Sequence, residues 1–283
     1  MNQHAEEVER GERFSFGKNW RGFLGRLSGE RIRVAEESLC SMLGVKDLAG
    51  KTFLDVGSGS GLFSLAARRL GARVHSFDYD PESVACTGYL KDRFFPGDSA
   101  WTVESGSILD TTYIQSLGEF DVVYSWGVLH HTGNMWQALQ NATLPVRDGG
   151  LIFIAIYNDE GPRTVIWRSI KKTYNRLPRP LKDIFFSVIL GVWELRALTV
   201  SLLKLRPMEY LRSWTRYSDS ARGMSKWHDM IDWIGGYPFE AATPEAMFEF
   251  YKRQGFQLQN LKTGRGFGCN EYVFIRARLQ ERA

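Results

Sequence analysis

The sequence predicts a doubly wound α/β domain carrying a helical insertion, on three observations. Short apolar runs alternate with helix-like stretches across residues 51–157. A glycine cluster, Asp55-Val56-Gly57-Ser58-Gly59-Ser60-Gly61, stands where the first apolar run passes into the first helical stretch. The 283 residues are 43% hydrophobic and 24% charged, a balance that supports a packed core rather than a disordered chain.

The elements follow in order. Residues 51–56 (KTFLDV) read as a buried strand and 62–70 as a helix. A second strand covers 73–77, and a second helix covers 81–90, opened by Pro81 near its first position. Strands at 101–104 and 120–125 (FDVVYS) precede a helix at 135–144 and a fifth strand at 151–157 (LIFIAIY). Strand, helix, strand in this rhythm implies a parallel sheet with right-handed crossovers. From 163 to 233 no strand pattern is present; Pro178, Pro180 and Pro207 punctuate two to four helices. Thr243-Pro244-Glu245 starts another helix, which ends near Gly255. Residues 256–261 and 271–277 (EYVFIRA) are the last two strands. The expected organisation is an N-terminal helical lid at 1–50, a sheet domain at 51–160 and 241–283, and a helical insertion at 161–240 that caps an acceptor site.

Composition narrows the class. Cys40, Cys86 and Cys269 are scattered, with no close pair to suggest a zinc or redox motif, so a reducing cytoplasm is expected. The N-terminal MNQHAEEVER has no apolar core and does not read as a secretory signal. No repeat or low-complexity tract is found.

Glycines in the 57–61 loop let backbone approach a ligand, and the helix that follows presents free N–H groups. A dinucleotide fingerprint needs G-x-G-x-x-G, but Leu62 stands where its last glycine belongs. Asp78 closes the second strand, 21 residues after Gly57. A carboxylate there can accept two charge-assisted hydrogen bonds from a ribose diol. Asp55 suits the ammonium end of an amino-acid moiety. A lone glycine cluster is often only a tight turn; the strand before it, the helix after it and Asp78 together weigh against that reading.

On these residues the chain resembles the class I, seven-strand S-adenosylmethionine-dependent methyltransferases, over 51–157 and again over 244–277. The resemblance implies a Rossmann-like sheet of seven strands, mostly parallel with a final antiparallel strand, and S-adenosyl-L-methionine as cofactor. LDVGSGSG resembles the family's first motif, which implies that Gly57, Ser58 and Gly59 lie beneath the cofactor's methionyl part. FDYD resembles the second, with Asp78 on the ribose and Tyr79 beside the adenine. SGSILD (105–110) stands where the family contacts the adenine edge, a role carried over to Ser107 and Ile108, although the family often has an acidic residue where Ser107 stands. FDVVYSWGVLHH (120–131) resembles the fourth-strand motif, whose end, including Ser125, lies at the reaction centre. VLHH and its flanks are similar to the small-molecule branch, including the quinone-biosynthesis methyltransferases. Ser125-Trp126-Gly127-Val128 replaces the N/D-P-P-Y/F of the branch that methylates nucleic-acid bases, so no nucleic-acid partner is expected.

Methyl transfer from a sulfonium is an in-line displacement in which the protein aligns the reactants and excludes water. A histidine suits deprotonation of a hydroxyl or amine acceptor near neutral pH. Of His130 and His131, which follow the fourth strand, His131 is the expected base and His130 a packing residue. His228 and Asp232, four apart on a helix, read either as a second polar wall of the acceptor pocket or as a capped surface pair. A metal set of His228, Asp229, Asp232 and Glu240 has no diagnostic spacing, and no metal is expected. Phe14-Ser15-Phe16-Gly17-Lys18-Asn19-Trp20 reads either as a lid over the cofactor, with Trp20 touching it, or as packing for an N-terminal helix. Gly264 to Glu271 reads either as a hairpin connection with a bulge or as a segment that puts Arg265, Asn270 or Glu271 near the acceptor.

Residues 163–216 hold 12 Lys or Arg against 3 Asp or Glu, a net of +9 in a chain whose total is +4. Within them lies an uncharged run at 184–193, too short and too soon interrupted by Glu194 and Arg196 to span a bilayer. A cap over an acceptor pocket and an amphipathic element docking on anionic lipid both fit; an RNA-binding patch lacks any recognisable module. The expected function is methyl transfer to an O or N atom of a small, lipophilic or lipid-linked metabolite. The alternatives are a same-fold enzyme using S-adenosylmethionine for other chemistry and a non-catalytic cofactor-binding protein. The expected location is the cytoplasm, with a peripheral membrane contact through 163–216 left open.

Overall fold

The apolar runs become strands because successive residues of each face opposite layers of core. In the computed structural model, which describes residues 3–25, 27–215, 226–264, 266 and 268–278 (without the side chains of Lys18, Phe23, Glu209, Leu211, Ser213, Thr215, 226–229 and Asp232), seven strands form one sheet. They are β1 (Thr52–Val56), β2 (Arg73–Asp78), β3 (Trp101–Ser105), β4 (Phe120–Trp126), β5 (Val146–Tyr157), β6 (Phe256–Lys262) and β7 (Cys269–Arg276), in the order β3-β2-β1-β4-β5-β7-β6. β7 alone runs against its neighbours, pairing antiparallel with both β5 and β6. This is the doubly wound Rossmann-like sheet that the sequence predicts.

Neighbouring residues divide cleanly between two cores. Leu54, Val123, Ile152 and Phe274 enter one apolar cluster, while Phe53, Val122, Phe153 and Val273 enter the other. That alternation is the strand period of two, apolar on both faces because helices cover both. α6 (Thr111–Ser116), α7 (Met135–Thr143) and α12 (Pro244–Arg253) bring Ile114, Leu139 and Tyr251 to the first cluster. α3 (Gly29–Leu43), α4 (Leu62–Arg69) and α5 (Pro81–Phe94) bring Leu39, Leu65 and Leu90 to the second.

Several boundaries differ from the sequence reading. β5 starts at Val146 rather than 151, because Val146 pairs with Phe120 and a register shift separates that pair from Val122 with Leu151. α6 was not anticipated; Asp110 caps it by accepting the Tyr113 N–H at 3.0 Å. Leu129–His131, just past the fourth strand, form a single turn of 3-10 helix.

The chain divides into two compact units, residues 1–15 with 166–238 and residues 16–165 with 239–283. The segment 1–50 is thus shared: α1 (Gln3–Glu9) groups with the helical unit, α2 (Gly17–Leu24) and α3 with the sheet. The helical unit holds α8 (Pro162–Arg176), α9 (Arg179–Leu203), α10 (Pro207–Thr215) and α11 (Lys226–Gly235); α8 gives way to α9 at Pro178 and α9 to α10 at Pro207, as expected. Tyr174, Phe186, Met230 and Ile234 are its buried apolar centre. The short uncharged run at 184–193 belongs to one continuous 25-residue helix, α9, with a mean hydropathy of 1.6 over its most apolar window. Length therefore does not exclude spanning, contrary to the sequence reading; helix propagates through Glu194 and Arg196 because both are good helix formers.

Candidate active site

In an open doubly wound sheet, ligands bind beyond the carboxyl ends of the strands where strand order reverses. Here that point lies between β1 and β4, which are adjacent although β2 and β3 intervene in sequence. The 57–61 loop leaves β1 and the 127–131 turn leaves β4, so both converge there. Gly57, Gly59 and Gly61 have φ of +77°, +55° and +79°. A Cβ on Gly57 would lie 2.3 Å from Val128 Cγ1. The two loops therefore touch at a distance only glycine permits. The loop is anchored by the Gly57 and Ser58 N–H groups, which donate to Phe77 O at 2.9 and 3.1 Å. The Ser58 hydroxyl pairs with Thr87 Oγ1 at 2.8 Å.

Asp78 ends β2 facing this loop. Its Oδ2 accepts the Gly59 N–H and its Oδ1 the Asp80 N–H, both at 2.9 Å. Burial pushes this carboxyl up to about 6, against the pull of those backbone donors. Tyr79, next in sequence, is half-buried. Asp80 caps α5, accepting Glu82 N–H at 3.0 Å, and accepts Gly17 N–H at 2.9 Å. Arg21 pairs with Glu82 in the same strap. The strap sets Trp20 on the glycine loop: a Cβ on Gly59 would lie 3.2 Å from Trp20 Nε1. Sequence reasoning missed Asp80, although Asp-Pro at a helix start is a capping signature that would have flagged it.

The F-S-F-G-K-N-W segment is not one device. Phe14 belongs to the helical unit, where its N–H donates to Tyr237 O at 2.8 Å and a Cβ on Gly235 would strike its ring. Phe16 and Trp20 belong to the sheet unit.

The end of β4 separates its candidates. Ser125 is fully buried, and its hydroxyl donates to Val56 O at 2.9 Å, tying β4 to β1. His130 is fully buried too; its Nδ1 accepts the Tyr157 N–H at 3.4 Å, and its backbone carbonyl accepts Glu240 N–H at 3.0 Å. His131 lies beside the Phe16 ring, with centroids 4.9 Å apart, and 5.6 Å from the Tyr157 ring. Ser107 turns its hydroxyl to the Leu109 N–H at 3.2 Å, and Ile108 is buried in the core with its carbonyl accepting from Asn141 at 2.7 Å. His228 and Asp232 fall on α11, but their side chains lie outside the described residues, as does Arg265. Glu240 accepts the Met135 N–H at 3.0 Å, at the positive end of α7. Among the described residues no cluster of three or more His, Cys, Asp or Glu is placed to hold a metal.

A family model described as a methyltransferase domain matches residues 29–218. The chain belongs to this methyltransferase-domain family. Among curated proteins, it is 32% identical over 143 residues to a ubiquinone biosynthesis O-methyltransferase of Methylobacterium sp. (strain 4-46), covering 48% of this chain and 54% of that one. It is 30% identical over 154 residues to the protein of the same name in Pseudomonas paraeruginosa, covering 52% and 63%. The chain thus spans roughly half to two thirds of the length of these relatives. Among solved structures, magnesium protoporphyrin IX methyltransferase from Synechocystis PCC 6803 with bound SAM superposes with a TM-score of 0.51 at 10% identity, covering 87% of this chain and 79% of that one. PKMT2 from Rickettsia typhi in complex with AdoHcy gives 0.55 at 12% identity, covering 87% and 53%. At such identities the structures share the fold alone.

Beneath the loop of this methyltransferase domain runs a buried polar chain. Trp101 Nε1 donates to Ser76 Oγ at 2.9 Å, Ser76 donates to Ser64 Oγ at 2.8 Å, and Ser64 donates to Asp55. Asp55 Oδ2 is thus tied to α4 through the Ser64 hydroxyl. Burial pushes its carboxyl from 3.8 up to about 7, opposed by the Ser64 bond and reinforced by Asp78. An acid whose pKa is raised by folding stabilises the fold below its unfolded pKa and loses that contribution as pH rises through the folded value. Wild-type melting temperature is therefore expected to drop between about pH 4 and pH 7, and Asp55→Asn to flatten the slope. Thermal melts across that range check it; an unchanged slope in the variant would place the titration elsewhere.

Proposed function

We propose that the chain transfers a methyl group from S-adenosyl-L-methionine to an O or N atom of a small, lipophilic or lipid-linked acceptor. The observation that carries this is the pairing of the positive-φ glycine loop with the Asp78 carboxylate across the β1–β2 tips. The site fits the cofactor. Asp78 Oδ2 accepts the Gly59 N–H and Oδ1 the Asp80 N–H, and a carboxylate has further lone pairs to offer diol hydroxyls. Trp20 supplies an aromatic face on the loop. In this reading Gly57, Ser58 and Gly59 hold the methionyl part, Asp78 the ribose, and Tyr79, Ser107 and Ile108 border the adenine. Asp55 is proposed for the ammonium end of the methionyl part and Ser125 for the cofactor at the reaction centre, with Ser64 and Val56 O engaging them from below. The cofactor, when bound, supplies an activated methyl group.

The chain's own chemistry is alignment, exclusion of water and removal of a proton. His131, set among Phe16, His130 and Tyr157 just past β4, is the proposed base. His228 and Asp232 remain proposed as a second polar wall. The curated relatives' names support a small aromatic or quinone-like acceptor bearing a hydroxyl. With such an acceptor goes a cytoplasmic chain that meets the inner membrane face peripherally through 163–216.

The test is incubation with methyl-labelled cofactor and a cell extract, followed by mass spectrometry. A labelled small molecule with matching S-adenosylhomocysteine is expected. His131→Ala should lower kcat roughly a hundredfold or more while leaving cofactor Kd unchanged. Tight cofactor binding with no labelled product would favour the non-methyl or non-catalytic readings.

A further inference from the structure

α9 packs on the helical unit by one side only. Phe185, Phe186, Ile189 and Leu190 face the cluster around Tyr174, Met230 and Ile234. On the other side Leu181, Ile184, Val188, Val192, Leu195 and Leu202, three to seven residues apart on one face, are each between 50% and 66% exposed. At 100° per residue these six fall within one stripe with no charged member, and Asp183 and Glu194 project from another side. Glu194 is engaged there, accepting Trp214 Nε1 at 2.8 Å. Exposed cations bracket the stripe: Arg179 before it, Arg196 along its edge, Lys204 and Arg206 after it.

We propose that this stripe is an in-plane anchor for anionic phospholipid, with α9 lying along the bilayer surface. The inference deepens the peripheral contact proposed above by naming its surface and orientation. Three observations select the occupant. The six stripe residues are aliphatic and run about 32 Å from Leu181 to Leu202, most of the helix. This suits a fluid apolar layer better than a local pocket. The segment 163–216 carries a net +9, complementary to an anionic headgroup layer. That same charge opposes face-to-face pairing of two copies. Trp193 and Trp214, each more than a third exposed, have the amphipathic rings favoured at a membrane interface. The helix is long enough to cross a bilayer. However, one of its sides is committed to a protein core, and Glu194 and Arg196 would stand near the bilayer centre, so the surface orientation satisfies more of its groups.

The test is flotation of the full-length protein with phosphatidylcholine vesicles, with and without phosphatidylglycerol, at low and high salt. Co-flotation with the anionic vesicles alone, weakened by salt, is expected. Val188→Gln with Val192→Gln, both at exposed positions, should lower the bound fraction at least tenfold with circular dichroism unchanged. Lys204→Glu with Arg206→Glu should remove the preference for anionic lipid. Alkaline carbonate should release the wild type. Absence of flotation at low salt overturns the proposal, as does binding indifferent to both variants. Carbonate-resistant insertion would show a spanning helix instead. A dimer broken by the Val188 and Val192 changes, without flotation, would assign the stripe to a second copy. Flotation needs no cofactor or turnover, so its failure is distinct from a failed calorimetric titration with S-adenosylmethionine, which would sink the proposed activity.

Discussion

Gly57→Ala is expected to abolish measurable S-adenosylmethionine binding while leaving a folded sheet. Two penalties combine. A φ of +77° at a residue with a Cβ costs about 1–2 kcal/mol. The added methyl would also stand 2.3 Å from Val128 Cγ1, far inside contact distance, so the loops after β1 and β4 must part. They are the two walls of the proposed site, and parting them displaces the backbone that cradles the cofactor. The double variant Gly57→Ala/Val128→Ala separates the terms. It relieves the overlap and keeps the dihedral strain, so calorimetry should show partial recovery, to within roughly tenfold to thirtyfold of wild type. Gly59→Ala serves as comparison: its Cβ would meet only Trp20, at 3.2 Å, and a smaller loss is expected. Equal affinity in Gly57→Ala and wild type would mean that the cofactor does not sit on this loop.

The readability of this glycine loop in the sequence was no accident of spelling. A turn of three positive-φ residues can be written only with glycine or its few substitutes, so backbone geometry leaves a direct trace in residue type. The strands were equally legible, because helices cover both faces of the sheet and the runs are therefore apolar throughout. What the sequence hid depends on partners distant along the chain. Ser125 is a small polar residue at the end of a strand. Only the lateral neighbour, Val56 O at 2.9 Å, reveals that its hydroxyl is committed between strands. His131 is favoured over His130 on resemblance alone; the physical difference is a 3-10 turn that sends the His130 ring toward the Tyr157 N–H and the His131 ring toward Phe16. Asp55 suits an ammonium group by its place before the loop; that its Oδ2 also accepts the Ser64 hydroxyl follows from strand parity and a partner nine residues on. The six residues of α6 are too few for a helical period to register. The full length of α9 was hidden by two charges that interrupt hydropathy but not helix.

Asp78 gives the second large effect, and its pH dependence makes it the more discriminating test. Burial raises this carboxyl to about 6, whereas an exposed aspartate would ionise near 4. A ribose diol donates two hydrogen bonds, and only the ionised carboxylate can accept both while still accepting the Gly59 and Asp80 N–H groups. S-adenosylmethionine affinity is therefore expected to be flat above about pH 7 and to fall below pH 6, approaching a tenfold loss per unit. Apo stability runs the other way: the raised pKa contributes stability below about pH 4 and loses it as pH rises through 6. A simple loss of fold on acidification would weaken stability and binding together, so the opposite signs exclude it as the cause. Asp78→Ala should weaken binding roughly tenfold to a hundredfold, corresponding to charge-assisted bonds of about 1.5–3 kcal/mol. Asp78→Asn should be weaker at neutral pH and insensitive to pH between 5 and 7. Asp55→Asn run beside it controls for the other raised carboxyl in that range. If the wild-type profile persists in Asp78→Asn, the ribose is held by another group, and the diol must be sought away from the β2 tip.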